Sequence, residues 1–543
     1  MTSANLRIRT ELLLLVAFCG FLFFYGLGAF GLLGADEPRY AQIAREMLER
    51  DDWITPTLNG KPWLEKPPLY YWQAMLTYRA GRALSSASDG VTDQSARFPA
   101  AMDAAFMIVA IYLFLRRFRP GTELDAALIT ASCVGVIGFA HAAATDMPLA
   151  ATFTIALLSW YAWYESQKRV FLAVFYFFLA LGILAKGPVA PALAGVIVVL
   201  FAAVKRSWNL VLRTLWLPGI LLFLAVALPW YVAVQVRNPE FFRVFILEHN
   251  LSRFSTNRYH HPQPFWFYLP VFLLAVTPWA FWLLAALAGW IRRLRREGRA
   301  ALARPEHSWP LFLFIWIFVP LFFFSASQSK LPGYILPAVP AAALFVADDL
   351  AWRREEEIGI SWRLAAVHGV LCGLLAFSAL SAASIAVTHR LAFGPATYVA
   401  AALGLVITLG IITALVTSSG TRLVRSATMI AVIVSVAAVI RFAAPIIDAT
   451  QSSRPVAAAI SAFSREPVPV ALYRVSRIEQ YGLEFYLNRP ALNYESGEIP
   501  GDAHVLVAAL GTSPELRGLL GVRKVSYLAS IPAQNLELYW VGK

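Results

Sequence analysis

Thirteen long apolar runs divide this chain. They lie near 11–33, 97–115, 124–142, 147–164, 170–185, 189–204, 212–235, 266–291, 309–326, 334–351, 362–388, 396–417 and 425–444. A helix crossing a bilayer needs ~20 mostly apolar residues, within a range of roughly 17–25. The pattern therefore predicts about thirteen transmembrane helices, the fifth and sixth separated only by Lys186-Gly187-Pro188. The first run is longer than the roughly 7–15 residues of a signal-peptide core and predicts a retained helix, although small residues near Gly34-Ala35 leave cleavage open.

The polar positions between the runs orient them. Arg7 and Arg9 precede the first; Arg116, Arg117 and Arg119 follow the second; Lys168 and Arg169 the fourth; Lys205 and Arg206 the sixth. Arg292, Arg293, Arg295 and Arg296 follow the eighth, Arg353 and Arg354 the tenth, and Arg422 and Arg425 lie between the twelfth and thirteenth. With an odd number of crossings all of these fall on one side. Positive-inside bias makes that side cytoplasmic, with the N-terminus in and the C-terminus out. The outer segments are then 34–96, Thr145 to Pro148, Lys186 to Pro188, 236–265 and Ser327 to Pro332. Within 34–96, Ala41–Leu48 and Leu69–Ala80 have helical spacing and predict interfacial helices.

Beyond about 448 the pattern changes. Val468–Val475, Ala503–Leu510, Val522–Leu528 and Leu536–Val541 alternate as strands, with helices over Ile478–Leu487 and Ser513–Leu520. The chain thus divides into a transmembrane domain, 1–448, and a small outer α/β domain, 449–543, which has no GxGxxG phosphate loop. Composition agrees with the first division: 59% of the 543 residues are hydrophobic and 15% charged, with a mean hydropathy of +0.60. The net charge of +13 resides in the short inner links, so it reports topology and does not imply a nucleic-acid partner. The three cysteines all sit in apolar runs and promise neither disulfides nor a thiolate metal site.

A charge near the hydrocarbon edge is costly unless paired or functional. Asp36 and Glu37 stand where the first run ends, and Asp146 at the outer end of the third. Asp36 and Asp146 could also simply cap helices. The cations on the same face are Arg39, Lys66, Lys186, Arg253, Arg258 and Lys330. Together they predict an anion, most simply a lipid phosphate, with snorkelling to headgroups as the plainer alternative. Glu65 with His249 and His261 leaves a carboxylate–imidazole metal site open, for zinc or magnesium, at a spacing that matches no strong zinc motif. No Walker A, HExxH or GxSxG motif competes.

Residues Ala35-Asp36-Glu37-Pro38-Arg39-Tyr40 after a first helix resemble the start of GT-C glycosyltransferases of the protein mannosyltransferase type. Trp63-Leu64-Glu65-Lys66-Pro67-Pro68, Thr145-Asp146-Met147-Pro148 and Ser329-Lys330-Leu331-Pro332-Gly333-Tyr334 resemble later blocks of the same superfamily. Glu248-His249-Asn250-Leu251-Ser252-Arg253-Phe254 and His261-Pro262-Gln263-Pro264-Phe265 are similar to the long outer loop of its bacterial branch, the lipid A aminoarabinose transferases. The resemblance implies an inverting transfer of 4-amino-4-deoxy-L-arabinose from undecaprenyl phosphate to lipid A phosphates at the outer face of a bacterial inner membrane, by a monomer, conferring resistance to polymyxin and cationic peptides. It implies Asp36 and Asp146 as catalytic acids, and Lys66, Arg258, Lys330 and Tyr334 around the donor phosphate. Glu37, Arg39, Lys186 and Arg253 become further substrate contacts. Another polyprenyl-phosphate-sugar transferase, such as a protein O-mannosyltransferase, is the alternative. A lipid-linked sugar transporter is disfavoured, since no internal repeat is evident and the charges cluster at one edge.

Overall fold

The computed structural model describes residues 3–84, 89–245, 248, 263–388, 394–417, 419–463 and 467–543. Every predicted apolar run contains helix, with three changes to the expected shape. Helix α1 (Ser3–Cys19) and a π-turn (Gly20–Phe24) end the first run early. Gly26 then takes φ +79°, and a Cβ there would sit 2.7 Å from Ile440. Both the left-handed backbone and the close approach call for glycine.

The second and third changes are breaks. The run expected over 124–142 is two helices, α5 (Glu123–Ala131) and α6 (Val134–Ala140), bent by 63°. The run expected over 266–291 is α12 (Tyr268–Val276) and α13 (Ala280–Glu297), bent by 109°. Pro278 lies in the second break and cannot donate to a helix ladder. The two breaks satisfy each other's polar groups. Val134 N donates to Thr277 O at 2.9 Å, and Trp279 Nε1 donates to Ser132 Oγ at 2.9 Å. Irregular backbone at such depth survives only where protein partners replace the lost bonds.

Between and around these stand α2 (Asp36–Glu49), a two-residue hairpin β1–β2 (Thr57–Leu58, Lys61–Pro62), α3 (Leu69–Leu84) and α4 (Asp93–Phe118). After α6 come α7 (Asp146–Ser166), α8 (Arg169–Lys186), α9 (Val189–Val204), α10 (Asn209–Thr214) and α11 (Leu217–Arg237). After α13 come α14 (Ser308–Ala326), α15 (Val339–Glu355), α16 (Trp362–Thr388), α17 (Pro395–Val416), α18 (Gly420–Ala438) and α19 (Ala444–Gln451). Among the described residues, eight helices are long and apolar enough to cross a membrane, or ten if each bent pair is one span. The protein is thus a helical polytopic membrane protein.

Side-chain contacts sort the helix ends into two groups. At one end, Asp125 at the start of α5 pairs with Arg354 from the end of α15 and, at 2.7 Å, with Arg425 near the start of α18. Tyr112 of α4 donates to Glu11 of α1 at 2.9 Å, Arg119 pairs with Glu165 at the end of α7, and Lys205 donates to the carbonyl of Leu302 at 2.9 Å. Most of the arginine clusters that predicted an inner face lie at this end. The opposite end gathers the starts of α2, α4 and α7 and the end of α8.

The C-terminal region begins with α20 (Arg454–Phe463) and continues as β3 (Val470–Tyr473), α21 (Arg477–Leu487), β4 (Ala491–Asn493), β5 (His504–Ala509), α22 (Ser513–Leu520), β6 (Val525–Ile531) and β7 (Leu536–Val541). The five strands form one mixed sheet in the order β4-β3-β5-β7-β6. β3 runs parallel to β4 and β5, while β7 is antiparallel to both β5 and β6. The sequence pattern had no place for β4, whose three residues are too few to show alternation. The sheet region docks on the second group of helix ends: Tyr486 receives Leu32 N–H at 2.7 Å and donates to Asp93 at 2.6 Å.

Candidate functional site at one end of the bundle

Helix α2 opens directly on Asp36 and Glu37. Neither Asp36 nor Asp146 caps its helix: Ala35 and Thr145 hold those positions, without a side-chain cap bond. Both carboxylates lie in the first turn, where the helix dipole favours negative charge, and both have found cations. Asp36 pairs with Arg39 one turn later; its side chain is 50% exposed, against 14% for Arg39. Glu37 points the other way, to Arg97 of α4. Arg97 is fully buried and reaches Glu37 Oε2 from Nη2 at 2.7 Å and from Nε at 3.1 Å. Its remaining N–H groups hold the carbonyls of Leu27, Phe30 and Gly31. Through Arg97 the Glu37 carboxylate is tied to the turn that precedes α2.

Arg39 is enclosed by aromatic faces. Its guanidinium carbon lies 4.9 Å from the Trp63 ring, 5.4 Å from Tyr40 and 5.3 Å from Tyr481. Glu65 adds a further negative charge in its field. Glu65 and Lys66 form the bend before α3, both half-buried. Beside them is a cavity of about 500 Å³ lined by Trp63, Glu65, Arg237, Asn238 and Glu240, among others.

Asp146 makes the second centre. Lys186, at the last position of α8, donates to Asp146 Oδ1 at 2.5 Å and lies 4.7 Å from the ring centre of Tyr334. The side chains of this ion pair are 10% and 16% exposed. The fold thus brings together two residues that the sequence offered separately, Lys186 as a substrate contact and Asp146 as a catalytic acid. Gly333 lies against both Asp146 and Phe139, so a Cβ there would run into the carboxylate and sit 2.8 Å from the Phe139 ring. Gly333→Ala is therefore expected to cost about 1–3 kcal/mol by overpacking and to displace Asp146 from Lys186. Thermal unfolding together with transfer activity checks this, and wild-type values for both would refute it.

Lys330 sits in the turn between α14 and the 3-10 segment Pro332–Ala338. It is 6% exposed and donates to the carbonyls of Ser327 at 2.5 Å and Gln263 at 3.1 Å. Burial lowers its ammonium pKa below the ordinary lysine range. Tyr268 braces the same turn, donating to Leu331 O at 3.0 Å and accepting from Leu331 N at 3.2 Å. An apolar groove of about 750 Å³ lies between α9 and α14, lined by Leu193, Leu200, Trp266, Phe318, Ser325 and Ala326 among others. In the chain, Ser325 and Ala326 immediately precede the Lys330 turn.

Arg253, Arg258, His249 and His261 lie outside the described residues. Among the described residues no group of three His, Cys, Asp or Glu side chains could hold a metal, and Glu65 is the one described member of the expected set. Sequence reasoning did not single out Arg97 or Tyr481. Arg97 carried a signal, being the first residue of a predicted span. Tyr481 carried none, because its partner is more than four hundred residues away.

Comparison with known proteins gives this geometry a family. Residues 8–245 match the dolichyl-phosphate-mannose-protein mannosyltransferase family. An undecaprenyl phosphate-alpha-4-amino-4-deoxy-L-arabinose arabinosyl transferase of Pseudomonas savastanoi pv. phaseolicola is 32% identical over 382 residues, which are 69% of this chain and 67% of that protein. The chain belongs to this arabinosyl transferase family. The corresponding protein of Pseudomonas paraeruginosa is 31% identical over 383 residues, and the match spans 66% of its length. The crystal structure of ArnT from Cupriavidus metallidurans bound to undecaprenyl phosphate superposes with a TM-score of 0.75 over 97% of both chains, at 22% identity. The Archaeoglobus fulgidus oligosaccharyltransferase superposes with a TM-score of 0.53 over 94% of this chain and 71% of that one, at 13% identity. This arabinosyl transferase family member therefore shares its membrane fold with both structures, and within that fold Asp36, Asp146 and Lys330 lie at one end of the bundle.

Proposed function

We propose that this protein is an inverting glycosyltransferase that moves 4-amino-4-deoxy-L-arabinose from undecaprenyl phosphate to the phosphates of lipid A. The observation that carries the reading is the apolar groove whose lining residues Ser325 and Ala326 directly precede the Lys330 turn. A long isoprenoid tail fits a groove of that composition, and its phosphate would arrive where the cations are. Family membership supports the sugar and the acceptor. In the reaction an acceptor phosphate oxygen attacks the anomeric carbon as the bond to the donor phosphate breaks, and undecaprenyl phosphate leaves with the electron pair. Lys66, Lys330 and Tyr334, with Arg258 by resemblance, stabilise the charge on the departing phosphate, and Arg253 is a further substrate contact by resemblance. Glu65 on the 500 Å³ cavity is the carboxylate we assign to the protonated 4-amino group. Were Glu65 to hold a metal with His249 and His261 in place of the amino group, that metal would polarise phosphate oxygens; no step depends on one.

We place thirteen crossings of the inner membrane within residues 1–448, the catalytic domain; the grouping of the helix ends supports one face, cytoplasmic, for the arginine-rich ends and the other, periplasmic, for the site and residues 449–543. The match to protein mannosyltransferases over 8–245 favours one second reading, a protein hydroxyl as acceptor. Mass spectrometry of lipid A incubated with purified protein and aminoarabinosyl donor decides between them. A mass gain of one aminoarabinose per phosphate is expected. Unmodified lipid A beside a glycosylated protein would establish the second reading, and transfer in detergent to either acceptor excludes a transporter.

A further inference from the structure

The C-terminal sheet region reaches into the candidate site through one side chain. Helix α21 lies along α2, the helix that begins with Asp36. The docking is secured away from the acid: Arg45 Nη1 donates to Phe485 O at 2.7 Å, and Gln42 Nε2 to Asn488 Oδ1 at 3.2 Å. Tyr481, one turn before Phe485, presents its ring to the Arg39 guanidinium at 5.3 Å. Trp63 and Tyr40 supply the other faces from the membrane domain, and Arg39 in turn pairs with Asp36. A guanidinium held by aromatic faces loses rotational freedom, and a carboxylate paired to it inherits the restriction.

We propose that Tyr481 is a positioning residue for Asp36, so that the C-terminal domain completes the active site of the membrane domain. The proposal rests on the reading that Asp36 acts in transfer. Tyr481 touches no reacting atom; it closes the cage around Arg39, and Arg39 sets the direction of the carboxylate. Undocking α21 would leave the cage two-sided and Asp36 free to turn with Arg39.

The test uses the full chain in detergent, comparing Tyr481→Ala, Tyr481→Phe, Arg39→Ala and the Tyr481→Ala/Arg39→Ala double variant. Tyr481→Ala is expected to lower kcat by roughly three- to thirty-fold, the span of one partly desolvated cation–π contact, with the donor KM within about twofold of wild type. Tyr481→Phe keeps the ring face and is expected to restore turnover. In the Arg39→Ala background the tyrosine substitution is expected to add nothing. Hydrogen exchange over residues 33–40 gives a readout independent of substrate: it should quicken in Tyr481→Ala and stay at the wild-type rate in Tyr481→Phe. Wild-type turnover in Tyr481→Ala, unchanged exchange over 33–40, or an undiminished loss in the Arg39→Ala background would each overturn the proposal. Absence of aminoarabinose transfer by the wild-type protein would instead refute the functional reading, and the exchange comparison would still decide the cage.

Discussion

Asp36→Asn is expected to lower kcat for aminoarabinose transfer by about two to three orders of magnitude, the usual effect of deleting one preorganised electrostatic group. The amide keeps the shape of the side chain and can still meet Arg39, so packing around α2 should survive. Stability should fall by no more than ~1 kcal/mol, because the carboxylate is half exposed and exposed ion pairs are worth little. Activity and stability thus separate, which distinguishes a chemical role from a scaffolding one. A phosphate monoester, with a second pKa of ~6, is already mostly anionic at neutral pH and scarcely needs a base, so wild-type transfer should be nearly flat from about pH 7 to 8. Near-normal transfer by folded Asp36→Asn would remove this residue from the chemistry.

What the sequence disclosed and what it hid follow from the range of the forces involved. Apolar runs are local, so each predicted span contains helix, and the strands at Leu536–Val541 and the helix at Ser513–Leu520 match residue for residue. The breaks at Ser132-Cys133 and Thr277 to Trp279 were hidden because each is stabilised by the other, across more than a hundred residues. The charged residues were visible one by one as costs needing an explanation. Their pairing was not. Asp146 and Lys186 read as an acid and an anion ligand, whereas the fold brings them into one ion pair. Asp36 and Glu37 are neighbours in the chain, yet successive helical positions diverge by about 100°. One therefore faces a half-exposed surface and the other the interior, a distinction that only the packing of α4 makes clear.

Arg97→Met is expected to be the most destabilising single change near the site, and Glu37→Leu nearly as severe. Arg97 is fully buried, and five hydrogen bonds leave its guanidinium, two of them to Glu37. Removing it leaves a carboxylate buried without its cation, a loss of about 3–5 kcal/mol for a broken buried pair. The carbonyls of Leu27, Phe30 and Gly31 also lose their donor, at roughly 1–3 kcal/mol for each one that water cannot reach. These costs are not additive, but even the first is a large part of a typical folding free energy. The effect should spread to function, because the same guanidinium fixes the turn from Leu27 to Gly31 that leads into Asp36. The double variant Glu37→Leu/Arg97→Met separates the contributions. If the penalty is mainly an unpaired buried charge, removing both charges should recover part of the unfolding temperature lost by either single variant. If instead the backbone bonds to the turn dominate, the double variant should be no better than Arg97→Met, and Arg97→Lys, which keeps the charge with fewer donors, should be nearly as damaging. Thermal unfolding of the four variants in detergent, read beside their transfer rates, tells whether the turn before the acid is held by charge or by its carbonyl bonds.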